Sequence, residues 1–566
     1  MNVELHYVEL CHERKKYDLA KLNSDYFYRN SLGSELCANT LFDSTSINSD
    51  ILKNGYFLTG NELQRSGLLD SGQKRKACPV IGILQFNPYE PKNIHARTPL
   101  SYGDAQGSLL DGNGHIFVSA STRSGKSSSH VMYNALDYPG SLFILDIKGE
   151  IYDRSAGYRA KNLKQKVIRF APFDVDTYKI NLFTFIPKGA LVDPSLQDLI
   201  AEENFILELV RLLIVPNSNA REPIWDASAE NALIAFIYHV HTANLNPDGE
   251  KYEVHERSMG EVRRLFSLGG MDMERLLAEM SASNRRLVKL FADGLIGSAE
   301  DNPKYFDSVR VTVEYHTRIW SMTAIQNATY LPLEVLEDSE SGANRFDFAA
   351  LREGNVSFYL VIPPEKLAMG RALLRVMVGM ALYQLRESYK SANCEDVPPV
   401  LFLLDEFPQL GRMDIIEDYY AYAAGYGVRF LTFCQNIGQL FSVYGDAAQT
   451  ILANSEFKCF FGVNDLDTAE FVSKHLGEVY VVSYNTSNSR SQGPQNWNWG
   501  NICSQTNSET ISSAMHSIPL LTAGQVMQLP KNLQIIFAKG LRPIICFLPS
   551  YYKFEELVER SHIPFF

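Results

Sequence analysis

One short segment, residues 120–127, constrains the fold of this chain more than any other. It reads Ala-Ser-Thr-Arg-Ser-Gly-Lys-Ser and matches the phosphate-binding loop G-x-x-x-x-G-K-[ST], with alanine in place of the first glycine. A short apolar run of strand type, residues 116–118, precedes it, and a helical pattern follows over residues 127–136. In a strand–loop–helix unit the loop turns its backbone N–H groups toward a phosphate, and the N-terminal end of the helix attracts the anion.

The loop therefore predicts a site for ATP with Mg²⁺. Lys126 is placed to reach the β- and γ-phosphates, and the Ser127 hydroxyl is placed to bind the metal. The predicted nucleotide-binding residues are Ser121, Thr122, Arg123, Ser124, Gly125, Lys126, Ser127 and Ser128.

A second signal lies almost three hundred positions later, where an apolar run over residues 400–404 ends in Asp405 and Glu406. In a parallel sheet the carboxyl ends of the strands face the crevice that binds ligands. We therefore predict that Asp405 holds Mg²⁺ and that Glu406 polarises the attacking water. Gln435 follows the next apolar run, from which its amide would sense the γ-phosphate. The predicted catalytic residues are Lys126, Glu406 and Gln435.

Asp146 also ends an apolar run, residues 141–146, and two interpretations of it stay open. It lies near the nucleotide, or it caps a helix that begins near residue 151.

The alternation of strand and helix patterns predicts an α/β fold with a doubly wound, mainly parallel sheet, because uninterrupted apolar strands are typical of a sheet covered on both faces. Helical periodicity dominates the middle of the chain and indicates an inserted all-α domain. The predicted division is an N-terminal segment that packs on or leads into the motor domain (1–100), the first part of the nucleotide-binding domain (101–192), the insertion (193–345) and the second part (346–566). Residues 484–510, rich in Ser, Asn and Gln, are predicted to form a flexible loop.

Charge and cysteine content exclude several classes of protein. The formal net charge of −12 argues against a surface built for non-specific duplex binding. The eight scattered cysteines include no C-x-x-C pair, which argues against a disulfide framework and predicts a reducing compartment. The charged first residues are not typical of a signal peptide, and no apolar run is long enough to span a membrane, so the chain as given is expected to be soluble.

Several motifs together resemble the TraG/TraD-type coupling proteins of type IV secretion systems. They occur in the family's order and spacing over roughly residues 100–560, and they are residues 121–127, 140–152, 156–158, 404–411, 423–435, 464–465, 468–469 and 549–552. Lys126, Ser127, Asp405, Glu406 and Gln435 fall on positions of the family's motifs.

The resemblance implies a RecA-like P-loop ATPase with an inserted all-α domain. It implies a homohexamer at the cytoplasmic face of the bacterial inner membrane, which delivers relaxase-bound single-stranded DNA or protein effectors to the secretion machinery. Members usually carry two N-terminal transmembrane helices, so the membrane segment is missing from this sequence or separate. Some members insert an arginine into a neighbour's site. Arg429 is a candidate for that role, although an ordinary surface arginine is the favoured interpretation.

Two other functions remain open at this point. The first is a soluble DNA-translocating motor of the FtsK/HerA kind. The second is a nucleotide-bound adaptor that recruits substrates without hydrolysing ATP. DNA and protein cargo are not distinguished by the sequence. Trp497 and Trp499, in the predicted flexible loop, are candidates for stacking on bases, although a protein contact is favoured.

Overall fold

A mainly parallel sheet organises the molecule. The computed structural model describes residues 80–85, 98–101, 114–187, 194–214, 224–301, 303–331, 346–389, 398–492 and 505–565. The strands in these ranges are β1 (Val80–Gln85), β2 (Thr98–Ser101), β3 (His115–Ala120), β4 (Leu142–Asp146), β5 (Lys166–Phe170), β6 (Val356–Val361), β7 (Val400–Leu404), β8 (Val428–Cys434), β9 (Ser455–Phe461), β10 (Glu478–Gln492), β11 (Gln505–Pro519), β12 (Leu533–Ala538) and β13 (Ile544–Phe547).

Eleven of these strands form one sheet in the order β2-β1-β13-β12-β9-β3-β8-β7-β4-β6-β5. The pairings from β5 to β9 are all parallel, whereas β12, β13, β1 and β2 add an antiparallel edge. Every residue of β3, β4, β6, β7 and β8 is buried, because helices cover both faces of a sheet of this kind. The predicted doubly wound sheet is confirmed.

Most of the described helices follow the parallel strands or form the insertion. They are α1 (Met132–Asp137), α2 (Glu150–Lys161), α3 (Leu196–Leu213), α4 (Ile224–Thr242), α5 (Met259–Phe266), α6 (Met271–Ser281), α7 (Arg286–Asp301), α8 (Pro303–Thr317), α9 (Thr323–Thr329), α10 (Leu367–Tyr389), α11 (Asp414–Tyr422), α12 (Ile437–Tyr444), α13 (Ala447–Asn454), α14 (Leu466–Leu476), α15 (Ala523–Met527) and α16 (Glu555–Ser561). None of the described helices is both long and apolar enough to cross a bilayer.

The insertion is built around one buried helix. Between β5 and β6 the described residues contain helices α3–α9 and no strand, which confirms the predicted all-α character. The middle of α4, residues 232–240, is buried, and α4 packs against α3, α7 and α8. Helix α3 begins in a capping box, in which Ser195 and Asp198 each bind the other's backbone N–H. The helix α10 packs against α3 and so links the insertion to the sheet.

The prediction of a flexible loop over residues 484–510 is wrong for the described part of that range. Strands β10 and β11 pair antiparallel from Glu478↔Pro519 to Gln492↔Gln505 and form a separate two-stranded sheet. The Ser and Asn content suggested a loop, but the same segments carry Val, Thr, Tyr and Ile, which favour extended backbone. Trp497 and Trp499 lie outside the described residues.

Candidate active site

The phosphate-binding loop leaves the carboxyl end of β3 and is held in shape by its own hydroxyl groups. Ser124 Oγ donates to the Ser121 carbonyl oxygen at 2.6 Å, and Ser129 Oγ donates to the Gly125 carbonyl oxygen at 2.7 Å. Gly125 has a φ of +97°, which only glycine adopts without strain. A π-helical turn over Ser127–Val131 then leads into α1. The backbone is thus curled as a phosphate cradle requires.

Exposure differs between the predicted nucleotide-binding residues. Lys126 is buried, and Thr122 and Arg123 are exposed at the tip of the loop. The remaining residues are partly buried, and they are Ser121, Ser124, Gly125, Ser127 and Ser128.

A glycine that the sequence analysis missed makes room for this loop. Gly462 follows β9, and a Cβ built on it would lie 2.5 Å from the Cβ of Ser124. Its φ is +53°. A glycine after an apolar run is a common turn signal, so nothing in the sequence singles it out.

Gly462→Ala is expected to distort the loop and to weaken nucleotide binding roughly tenfold, since about 1.4 kcal/mol corresponds to a factor of ten. Gly445→Ala is the matched control, because Gly445 has a φ of +55° and no heavy atom within 4 Å of a built Cβ. Both variants bear the cost of a left-handed alanine, about 1–2 kcal/mol, but only Gly462→Ala also forces the loop to move. Titration with a fluorescent ATP analogue measures the difference. Equal affinities for the two variants would contradict the steric argument.

The structure brings the predicted catalytic residues into direct contact. Lys126 Nζ lies 3.0 Å from Glu406 Oε1, and Gln435 Nε2 donates to Glu406 Oε2 at 3.2 Å. The topology explains the contact, because β8 lies between β3 and β7 and all three strands end at the same edge of the sheet. The site is partly shielded from solvent, since the Lys126 and Glu406 side chains are 7% and 19% exposed.

Glu406 is held in an unusual backbone conformation, with φ 55° and ψ 46°. A residue with a Cβ pays roughly 1–2 kcal/mol for this left-handed region, and such residues concentrate at functional sites. The conformation turns the chain away from β7 immediately after Asp405. It therefore places the Glu406 carboxylate against the loop rather than in line with the strand.

Asp405 is partly buried beside this pair. Its Oδ1 has no hydrogen-bond partner in the described part of the chain. Burial, and then the charge of Glu406, raise the pKa of the Asp405 carboxyl to about 6, while Lys126 and Lys148 act in the opposite direction. A carboxylate whose buried oxygen has no hydrogen-bond partner is suited to bind a cation, and Ser127, which follows Lys126 in the loop, is the second donor that the sequence predicts for Mg²⁺.

Asp405→Asn is expected to stabilise the protein at neutral pH. The pKa of Asp405 is raised from its ordinary value of 3.8 to about 6, so the folded protein binds this proton more tightly than the unfolded chain does. Stability is therefore lost as the pH rises from about 4 to about 6, and the loss above that range is about 3 kcal/mol. Asparagine does not titrate, so its advantage is largest above about pH 6 and disappears toward about pH 4.

Melting temperatures of the two proteins across this pH range measure the effect. Asp414→Asn is the control, because it makes the same chemical change at a side chain that is 64% exposed. A variant that is no more stable than the parent protein at pH 8 would refute the assignment of a buried, uncompensated charge to Asp405.

The capping interpretation of Asp146 is confirmed, and Asp146 also lies near the candidate site, because its charge raises the pKa of Asp405. Its carboxylate accepts from the backbone N–H groups of Lys148, Gly149, Ile151 and Tyr152, at 2.8–3.2 Å. Its oxygens are thus occupied by the turn that begins α2. The same turn leaves Lys148 exposed near Asp405, since its charge lowers the pKa of that carboxyl. Lys148 belongs to the motif of residues 140–152, whose pattern assigns it no role.

Arg429 is not a surface arginine, and that expectation is wrong. Arg429 is only 5% exposed. It is the second residue of β8 and lies at the end of that strand opposite to the phosphate-binding loop. The sequence pattern favoured exposure because an arginine near a strand end usually reaches solvent. Its position inside the sheet also disfavours the alternative role in a neighbour's site.

Comparison with known proteins identifies the family of this chain. The family model described as type IV secretory system conjugative DNA transfer matches residues 77–564. The chain belongs to this family. The match spans the loop, the acidic pair, the insertion and the β10–β11 hairpin, so the conjugative DNA transfer family accounts for nearly all of the described chain.

Two relatives within the conjugative DNA transfer family illustrate the extent of the similarity. The conjugal transfer protein TraG of Escherichia coli is 25% identical over 489 residues, which cover 80% of this chain and 70% of TraG. The protein VirD4 of Rhizobium radiobacter is 26% identical over 498 residues, which cover 85% of this chain and 64% of VirD4.

Solved structures of the plasmid coupling protein TrwB share the fold. TrwB in complex with the non-hydrolysable ATP analogue ADPNP superposes with a TM-score of 0.57 at 14% identity, over 91% of this chain and 96% of TrwB. The unbound bacterial conjugative coupling protein TrwBdeltaN70 gives a TM-score of 0.56 at 15% identity, over 88% and 92% of the two chains. The predicted RecA-like P-loop fold with a helical insertion is confirmed.

Proposed function

We propose that this chain is an ATP-hydrolysing coupling protein of a type IV secretion or conjugation system, which recruits DNA–protein or effector substrates and feeds them to the secretion channel. The observation that carries the proposal is the contact of Lys126 with Glu406 and of Glu406 with Gln435, at 3.0 and 3.2 Å. Membership of the conjugative DNA transfer family supports the secretion context. TrwB has been solved with ADPNP and with ADP and Mg²⁺, which supports ATP and Mg²⁺ as the ligands here.

Each residue has a defined task in the proposed reaction. The backbone N–H groups of residues 121–128 hold the phosphates, and Lys126 Nζ moves from Glu406 to the β- and γ-phosphate oxygens. Ser127 Oγ and Asp405 would hold Mg²⁺, which when bound would neutralise charge on the phosphate oxygens.

The other two residues act on the water. Once released by Lys126, the Glu406 carboxylate orients and polarises the attacking water, and Gln435, hydrogen-bonded to Glu406, senses the γ-phosphate. The ion pair thus links phosphate binding to the release of the base.

The proposal includes an assembly and a location. Homohexamers at the cytoplasmic face of the bacterial inner membrane would place the site of each copy next to a neighbour. Exposure of Thr122 and Arg123 at the tip of the loop is compatible with such a contact. Native mass spectrometry with ATP and Mg²⁺ measures the number of copies, and a protein that stays monomeric at all concentrations would contradict this part.

Two measurements test the function. Phosphate release is measured on the purified full chain, with and without single-stranded DNA, and substrate transfer is measured in cells that lack the gene. Hydrolysis together with a transfer defect is expected. Hydrolysis stimulated by DNA without any transfer defect would favour an FtsK/HerA-like motor instead. Nucleotide binding without hydrolysis, even in the hexamer, would favour an adaptor.

A further inference from the structure

Two arginines near the active site lack the counter-charges that arginines normally have. Arg371 and Arg375 lie one helical turn apart on α10, so their side chains share a face of the helix. Arg371 is exposed and Arg375 is partly buried. Arg375 Nε is buried without a hydrogen-bond partner, and no described salt bridge involves either residue. Like charges at this spacing destabilise a helix, so an unbalanced pair requires a reason.

The salt bridges of the described residues include neither arginine. Asp226 in α4 lies 3.6 Å from Nε2 of His316, whose pKa is lowered by burial and, to a smaller extent, by Arg375. Asp414 and Glu417 in α11 pair with Arg412. Burial, and then the charge of Arg371, lower the pKa of Arg375 to about 10. In the described part of the chain, then, the electrostatic environment of Arg375 is repulsive.

The pair is connected to the base of the proposed reaction. Arg371 Nε donates to the Gln409 carbonyl oxygen at 3.2 Å, and the Gln409 N–H donates to the Glu406 carbonyl oxygen at 2.8 Å. At Gly411 a built Cβ would lie 3.3 Å from Arg371 Cδ and 4.0 Å from Arg375 Nη1. The two guanidinium groups therefore pack against residues 407–411, the turn that follows Glu406.

We infer that Arg371 and Arg375 form a binding site for the backbone phosphates of single-stranded nucleic acid. A guanidinium group matches a phosphate in shape and charge. A single strand carries one negative charge per nucleotide whatever its sequence, so two arginines one helical turn apart bind any sequence. The site lies where the insertion meets the sheet, and it transmits occupancy to Glu406 through Gln409. This inference rests on the proposed function and names its substrate class as nucleic acid.

Salt dependence of DNA binding tests the inference. Binding of fluorescein-labelled oligo(dT) to the full chain is followed by anisotropy at several salt concentrations. For single strands the slope of log K against log salt is about 0.7 per phosphate contact, so Arg371→Gln/Arg375→Gln is expected to reduce the slope by about 1.4 and each single variant by about half of that. Arg386→Gln is the control, because Arg386 lies on the same helix but is paired with Glu387 at 3.1 Å.

A second measurement needs no substitution. Hydrogen exchange of the unmodified protein is expected to show protection of residues 371–375 and 407–411 when oligo(dT) is added. Arg375→Lys is expected to keep most of the slope because it keeps the charge. An unchanged slope in the double variant, or no protection of these segments, would overturn the inference. A third outcome would also overturn it: the double variant keeps the slope but loses ATP turnover in a way that depends on protein concentration. That result would assign the arginines to the nucleotide of a neighbouring copy.

The test separates this inference from the proposed function. Anisotropy and hydrogen exchange need no hydrolysis, so an inactive ATPase with the expected change in slope would defeat the proposed function and leave the phosphate site intact. ATP hydrolysis together with an unchanged slope would defeat the phosphate site and leave the proposed function intact.

Discussion

Glu406→Gln is expected to bind ATP and to hydrolyse it about 10²- to 10⁴-fold more slowly than the parent protein, which is the usual contribution of a positioned general base. The amide has the same shape as the carboxylate. Its single oxygen still accepts from Lys126 Nζ, which now lies 3.0 Å from Glu406 Oε1. Its NH₂ group takes the place of Oε2, and it donates to Gln435 once that side-chain amide has turned to present its oxygen. It cannot take a proton from water. Single-turnover hydrolysis of radiolabelled ATP, with binding measured on the same preparation, separates the two steps.

The control for this variant is Glu365→Gln, which makes the same chemical change at an exposed position just before α10. It is expected to hydrolyse ATP at the parent rate. Normal turnover by Glu406→Gln would remove Glu406 from the role of base and leave only its ion pair with Lys126. Loss of ATP binding in Glu406→Gln would also contradict the prediction, because it would make the residue part of the structure of the loop.

The contact between the loop and the acidic pair was predictable because both signals are local and their meeting follows from topology. An apolar strand that is followed by a loop with Gly-Lys-Ser, or one that is followed directly by Asp-Glu, can be recognised within about ten residues. If the strands are parallel and belong to one sheet, their carboxyl ends share an edge. The structure places β8 between β3 and β7, so Gln435 also reaches Glu406.

Other parts of the site depend on approaches between distant segments that no local pattern encodes. Gly462 matters because the tip of β9 passes close to Ser124, and a sequence shows neither the approach nor its distance. The role of Asp146 depends on which donors lie within hydrogen-bonding distance of its carboxylate. In the fold these donors are four backbone N–H groups of its own turn.

Two further features were hidden for related reasons. The spacing of Arg371 and Arg375 is visible in the sequence, but only the fold shows that neither forms a salt bridge within the described residues and that the charge of Arg371 acts on Arg375. In β10 and β11 the Ser and Asn residues masked the strand-forming residues between them. A high Ser and Asn content therefore indicates a loop only where the segment has no long strand to pair with.

Lys126→Ala is expected to weaken binding of ATP with Mg²⁺ by about 10²- to 10³-fold, because it removes a charged hydrogen-bond donor to the phosphates, a loss of about 2–5 kcal/mol in binding. The ammonium group now neutralises Glu406 at 3.0 Å and is placed to bind the phosphates. Without it, a partly buried carboxylate faces the triphosphate. Equilibrium titration with a fluorescent ATP analogue measures the loss.

The double variant Lys126→Ala/Glu406→Ala separates the two causes of that loss. It lacks the phosphate contact but also lacks the repelling carboxylate, so it is expected to bind ATP more tightly than Lys126→Ala and less tightly than the parent protein. If Lys126→Ala bound ATP as the parent protein does, the phosphates would not lie at this loop. Glu406, the proposed base, contacts both Lys126 and Gln435 beside this loop. ATP binding would then have to be assigned to a site away from the proposed base.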